Sequence, residues 1–360
     1  MSEFEPALGK SASPAFGEKS GEKVQLHIGE WKDGRWSYLF KDDTEYRSEM
    51  PDLEAIERAA REARSGPLPE VIQGPIINAP VWTWEVPLYF WFGGMAAGSS
   101  FVALACDLAG DEDSAAVARK VALAALMPSP PLLIMDLGRP ERFYNMLRIF
   151  KPRSPMSMGA WALSVFGGLA AAAVGADLIG RPREAKVLGG VNAIVGGYLG
   201  SYTGVLLAAT AVPVWARSRL FLGPIFVATA TASGAAATRL TLVATGLPVG
   251  HPTRRALGHV ETAAMAAELA LSEINERRLG TLASGLEDGR PGKLFTAAKW
   301  ATRAGLGLRF ARKPGGPGIH HLASVLYLAA GLLFRYAWVG AGRESAKHDR
   351  VVAEMARERA

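Results

Sequence analysis

The chain has 360 residues, 49% of them hydrophobic and 21% charged, with a formal net charge of +6. Its single cysteine, Cys106, excludes an internal disulfide and excludes an iron–sulfur cluster held by this chain, which would need about four thiolates. Residues 1–80 are polar and charged, whereas much of 86–250 is apolar and rich in Gly and Ala, so the basic excess reads as loops held at lipid headgroups and not as a nucleic-acid surface.

Residues 1–23 carry few large apolar side chains, a composition that does not support a packed core. Met1 to Lys10 lack a basic segment followed by an apolar one, so membrane insertion is expected to rely on internal segments. The stretches 24–28 and 36–40 flank Asp33-Gly34 and predict a hairpin, and Pro51 with Asp52 and Glu54 opens a predicted helix to about residue 63. Together they make a small soluble extension over residues 1–80.

The first predicted span, 86–106, is uncharged over about twenty residues, the length that crosses hydrocarbon, with Trp82, Trp84 and Tyr89 at its entrance. The second, 121–135, contains Pro128, Pro130 and Pro131 and is expected to be broken or kinked. The third covers 156–176, the fourth 187–211, and the fifth 220–246 with Arg239 inside it. The sixth and seventh, 259–271 and 293–308, are weaker: the sixth carries Glu261 and Glu268 on one helical face, and the seventh includes Lys299 and Arg303. The last, 322–339, has Arg335 near its end, placed to snorkel.

Gly196, Gly200 and Gly204 recur every fourth residue, as do Gly94 and Gly98, so that helix backbones can approach closely in lipid. With eight spans, fourteen basic residues fall on one side and ten on the other, which places both termini in the cytoplasm and the chain in the inner membrane. The fold class expected is therefore all-α: a polytopic membrane domain over 81–343, the soluble extension before it, and a tail over 344–360.

Several stretches together resemble the NrfD/PsrC family, the membrane subunits of polysulfide-reductase-type complexes. They are Trp82-Thr83-Trp84-Glu85-Val86-Pro87-Leu88-Tyr89-Phe90 with Gly93-Gly94-Met95-Ala96-Ala97-Gly98, then Asp136-Leu137-Gly138-Arg139-Pro140. Phe150-Lys151-Pro152-Arg153-Ser154-Pro155 with Gly159-Ala160-Trp161 follows, and then Tyr202-Thr203-Gly204 running to Pro213-Val214-Trp215. The similarity covers about residues 80–250 and continues weakly to Ala341-Gly342-Arg343. It implies eight helices in two four-helix bundles and a bound quinone, menaquinone or ubiquinone, with no haem or iron–sulfur cluster in this chain. It also implies a ferredoxin-like iron–sulfur subunit and a molybdopterin-type catalytic subunit as partners, in a respiratory complex such as a formate-dehydrogenase-like one.

Reducing a quinone takes two electrons and two protons, so proton donors must lie within hydrogen-bond reach of the ring carbonyls. Tyr202 matches the family tyrosine that bonds the quinone. Glu85 and Tyr89 lie four apart on one face at positions where the family has, as a rule, an asparagine and a histidine, and this chain departs from both. Arg239 is a further candidate quinone contact, and Glu261 and Glu268 are candidates for a proton path, one of them pairing with Arg239. Of six histidines only His259 falls within a predicted span, so no facing pair is available for haem. Two other readings compete: a secondary transporter, suggested by the broken second span, and a purely structural anchor.

Overall fold

A computed structural model of the chain describes residues 75–310 and 316–359, with Glu54, Arg58 and Arg61 before them. The hairpin expected over 24–40 lies outside the described residues, as does most of the helix expected over 51–63, in which Glu54, Arg58 and Arg61 are helical. Glu70–Arg359 forms one compact unit.

All regular structure among the described residues is helical. α1 (Glu85–Leu108) is apolar and ends at Gly110, whose φ of 77° only glycine adopts without strain. α2 (Glu112–Leu126) starts on Asp111, which accepts from the Ser114 amide at 3.1 Å, with Glu112 and Asp113 at the positive end of the helix. The regular helix is interrupted at Met127 and Pro128, whose backbone stays in the right-handed helical region, and α3 (Ser129–Met135) continues the same crossing as a separate segment. The expected break is present, but the crossing begins at Glu112 and not at 121.

α4 (Asn145–Arg148) lies in the following loop. α5 (Pro155–Leu178) is capped by Ser154, which accepts from the Ser157 amide at 3.4 Å, and has a proline in its first turn, where no amide is needed. Next come α6 (Pro182–Ala208), the short α7 (Pro213–Arg217) and α8 (Arg219–Ala244). α9 (Pro252–Leu279), α10 (Ser284–Glu287), α11 (Gly289–Phe310), α12 (Gly316–Ser345) and α13 (Asp349–Arg359) complete the chain.

The long helices run alternately up and down, as bonds between their ends show. At the end where α1 begins, Tyr202 of α6 reaches the Pro155 carbonyl of α5, and Tyr336 of α12 reaches the Trp84 carbonyl. At the far end, Arg119 of α2 pairs with Asp107 of α1 and Asp177 of α5. α1, α2–α3, α5 and α6 pack in a ring of four, and α8, α9, α11 and α12 in another. The rings meet where α8 lies against α1 and α6.

Among the described residues six helices are long and apolar enough to cross a membrane: Glu85–Leu108, Glu112–Met135, Pro155–Leu178, Pro182–Ala208, Arg219–Ala244 and Gly318–Ser345. α9 and α11, of 28 and 22 residues, are long enough at about 1.5 Å per residue for a hydrocarbon core of roughly 30 Å, but carry more charge. Part of the charge on α9 faces inward: Arg254, Glu261 and Glu268 are buried with the polar Ser272 and Asn275, while Arg255, Arg277 and Arg278 are exposed toward the helix ends and Val260 and Ile274 are exposed between them. An average over the helix counts buried, paired carboxylates as though lipid met them.

Small residues set the packing between the rings. A Cβ on Gly98 would stand 1.9 Å from the Ala230 carbonyl oxygen, and one on Gly234 2.1 Å from the Gly98 carbonyl carbon, so α1 and α8 touch backbone to backbone. Gly204 meets the Leu222 carbonyl with a Cβ gap of 2.5 Å, which brings α6 equally close to α8. The expected glycine repeats are thus packing surfaces. Below them α7 inserts Trp215, which is fully buried, donates to the Trp338 carbonyl at 2.8 Å and stacks on Trp82 with ring centres 5.3 Å apart.

Candidate functional site

Tyr89 and Tyr202 come together toward the end of the first ring where α1 begins, and Glu85 stands at that end. α1 carries Glu85 at its first position and Tyr89 one turn deeper, on the same face. Tyr89 is 2% exposed and its hydroxyl has no hydrogen-bond partner among the described residues, whereas Tyr202, 3% exposed, donates to the Pro155 carbonyl at 2.7 Å. Tyr198 stacks on Tyr202 at 5.8 Å between ring centres, and Tyr89 is close enough for the phenols to interact. The Tyr202 ring needs Gly159: a Cβ there would lie 2.2 Å from its hydroxyl oxygen. This explains why Gly159 and Tyr202, far apart in sequence, belong to one motif set.

Above the phenols lies a pair of carboxyls. Thr83 donates to Glu85, and Asp136, just past α3, lies near enough to Glu85 to feel its charge. Burial and then the Glu85 charge push the Asp136 carboxyl above the usual carboxylate range, although a bond from the Thr83 backbone opposes this. This end of the first ring thus holds one pair of carboxyls and one pair of phenols, all groups able to carry a proton. Asp136 is not among the sequence-predicted site residues, because nothing in its spacing shows that α3 ends beside the start of α1.

The structure does not bring Arg239 to these pairs. It sits twenty residues along α8 from Arg219, about 30 Å toward the far end. There Arg239 donates to Ser324 Oγ at 2.8 Å and to the His320 carbonyl at 3.0 Å, and its Nε lies 3.9 Å from Glu261. The nearer cation for Glu261 is Arg309, which donates to it directly, and Ser324 also donates to it at 2.7 Å. Arg254 adds a third buried guanidinium, 2.9 Å from His321. By sequence Arg309 falls just past the seventh predicted span and counts among the ten basic residues of one side, so its pairing with Glu261 is not visible there.

Glu268 lies at mid-depth, fully buried, accepting from Ser272 at 2.8 Å. Its neighbouring charge is Arg335, and here the structure corrects the expectation of snorkelling. Arg335 is 2% exposed, its guanidinium lies 3.7 Å from the centre of the Phe226 ring, and it donates to the Phe226 carbonyl at 3.2 Å. Gly94 leaves room for it, since a Cβ there would be 3.3 Å from Nη2. Further along α9, Glu276 pairs with Lys299 at 2.8 Å. His259, in contrast, points outward. Among the described residues no three His, Cys, Asp or Glu side chains converge as a metal site.

No curated protein matches the chain significantly. The family model described as "Polysulphide reductase, NrfD" matches residues 76–272, from just before α1 through most of α9, reaching beyond residue 250 and stopping short of Ala341-Gly342-Arg343. That match spans more than half of the sequence and takes in Glu85, Tyr89, Asp136 and Tyr202 alike. This multi-pass membrane protein therefore belongs to the NrfD polysulphide reductase family.

Proposed function

We propose that the chain is the quinone-reactive membrane subunit of a respiratory oxidoreductase complex, exchanging electrons with an iron–sulfur partner subunit that is wired in turn to a molybdopterin-type catalytic subunit. What supports this is the family match together with two pairs at one end of the first ring, the carboxyls of Glu85 and Asp136 and the buried phenols of Tyr89 and Tyr202. Quinone chemistry at this place would consume or release two protons per turnover, and the two pairs offer phenols and carboxyls to hold them. Tyr89 has a free hydroxyl to offer a ring oxygen, and Tyr202 would turn its proton from the Pro155 carbonyl toward the ring. Glu85 and Asp136, at the mouth, connect the phenols to the aqueous face.

Arg239 falls outside this quinone site, while Glu261 and Glu268 serve as steps of a proton path along the inner face of α9, between the far end and mid-depth. On this reading α9 and α11 also cross the bilayer, giving eight crossings in two bundles, in the inner membrane with both termini cytoplasmic. The test is quinone reduction by the intact complex in membranes carrying Tyr202→Phe and Glu85→Gln together. Loss of a positioned proton donor costs on the order of 10²–10⁴-fold in rate, with assembly retained. Wild-type turnover in an assembled double variant would reject the site.

A further inference from the structure

A cavity of about 340 Å³ opens between the start of α1, the start of α11 and the end of α12, beside Glu85: Thr83 in its lining donates to Glu85, and Tyr336 lies near enough to feel the Glu85 charge. The volume is within the roughly 300–1,000 Å³ of small-ligand sites. Its three walls have the same gradient. On α12, Arg343 lies at the helix end, with Val339 one turn deeper and Tyr336 two turns deeper, about 10 Å in all. On α11, Arg290 is at the start and Leu294 one turn in; on α1, Trp84 is at the start and Pro87 one turn in.

Both arginines are exposed, and among the described residues neither has an ion-pair partner. The acid in the lining, Glu344, is held by Lys347 at 2.8 Å. Trp84 is 51% exposed beside them, at the level where tryptophans meet lipid headgroups. Two unpaired guanidinium groups lie above an apolar shaft that runs along the helices.

We propose that this cavity holds an anionic membrane phospholipid, its phosphate against Arg290 and Arg343 and the start of an acyl chain along Leu294, Pro87 and Val339. The charge order fits no other occupant of the bilayer as well: a neutral isoprenoid ring leaves both arginines without a partner, and free phosphate leaves the apolar shaft empty. The two guanidinium groups complement a phosphate in the bidentate manner that favours arginine. The inference rests on the membrane setting; because the cavity adjoins Glu85, the test separates a bound lipid from a bound quinone.

The test uses the full chain purified from nanodiscs that contain equal phosphatidylglycerol and phosphatidylcholine, with bound lipid identified by native mass spectrometry. The wild type retains phosphatidylglycerol, and Arg290→Gln with Arg343→Gln weakens that retention by on the order of tenfold. Arg290→Lys with Arg343→Lys restores part of it. Arg181→Gln with Arg183→Gln, exposed arginines at the far end, leaves it unchanged. Equal retention of phosphatidylcholine, an equal loss in the far-end control, or thermal stabilisation by inorganic phosphate matching that of phosphatidylglycerol overturns the proposal. So does displacement of the bound lipid by added quinone.

Discussion

Asp136 lies near enough to Glu85 to feel its charge because α3 ends where α1 begins, and it is partly buried there. Asp136 therefore holds its proton above the usual carboxylate range, from burial first and the Glu85 charge second. Since its folded pKa is raised, the stability tied to its neutral form is fully present below the ordinary carboxylate pKa and is lost as pH rises through the raised value. Glu85→Gln removes one of the two causes and moves the Asp136 titration to lower pH. The infrared carboxyl band, assigned with Asp136→Asn, reports this; a band that titrates at the same pH in both proteins contradicts the pairing. At the far end Glu261 is buried and faces Arg309 and Arg239. Glu261→Gln leaves buried guanidinium groups uncompensated and is expected to destabilise the fold by about 3–5 kcal/mol, measured by thermal unfolding in detergent. A companion Arg309→Met change in the same chain should recover part of that loss.

The helices owe their positions to local signals that read plainly along the chain: caps at Asp111 and Ser154, prolines in first turns, and the proline break before α3. Their contacts depend on glycine. At Gly98 and Gly234 the α1 and α8 backbones meet so closely that no side chain fits, and the obstacle is main chain and not a flexible tip. Gly98→Val is expected to cost more than the about 1–3 kcal/mol of ordinary core overpacking, and to appear as loss of folded protein in membranes. Gly168→Val, where nothing lies within 4 Å, is the matched control and should be tolerated. The glycine repeat was visible in the sequence as a packing signal, but the partner helix was not. Spacing names the face of one helix and leaves open what covers it.

At the scale of the molecule, the chain segments flanking the two rings meet: the Ile76 amide donates to Asp349 at 2.8 Å, joining the stretch before α1 to the start of α13. With the helices running alternately up and down, loops at the α1 end and loops at the far end lie on opposite sides of the bilayer. Cys106 is 5% exposed, so the natural chain offers little background to thiol labelling. Arg217→Cys and Arg277→Cys should react with an impermeant thiol reagent from one side, and Arg181→Cys from the other. If Arg277→Cys labels with Arg181→Cys, then α9 does not cross, and eight crossings fall to six.

Sequence alone determined that this is a multi-pass membrane chain, where six of its apolar helices lie, where one breaks, and which family it resembles. Each of these depends on neighbours along the chain, through apolar run length, proline geometry and residue order. It also showed that Glu261 and Glu268 share a face, since helical period is a local property. Only the tertiary structure decided which charges meet. Glu261 found Arg309, Arg335 turned inward onto Phe226 beside Glu268, Asp136 joined Glu85, and Arg239 was carried away from Tyr202. A buried charge is stable only beside partners on other helices, and helix contacts are set by packing among residues far apart in the chain.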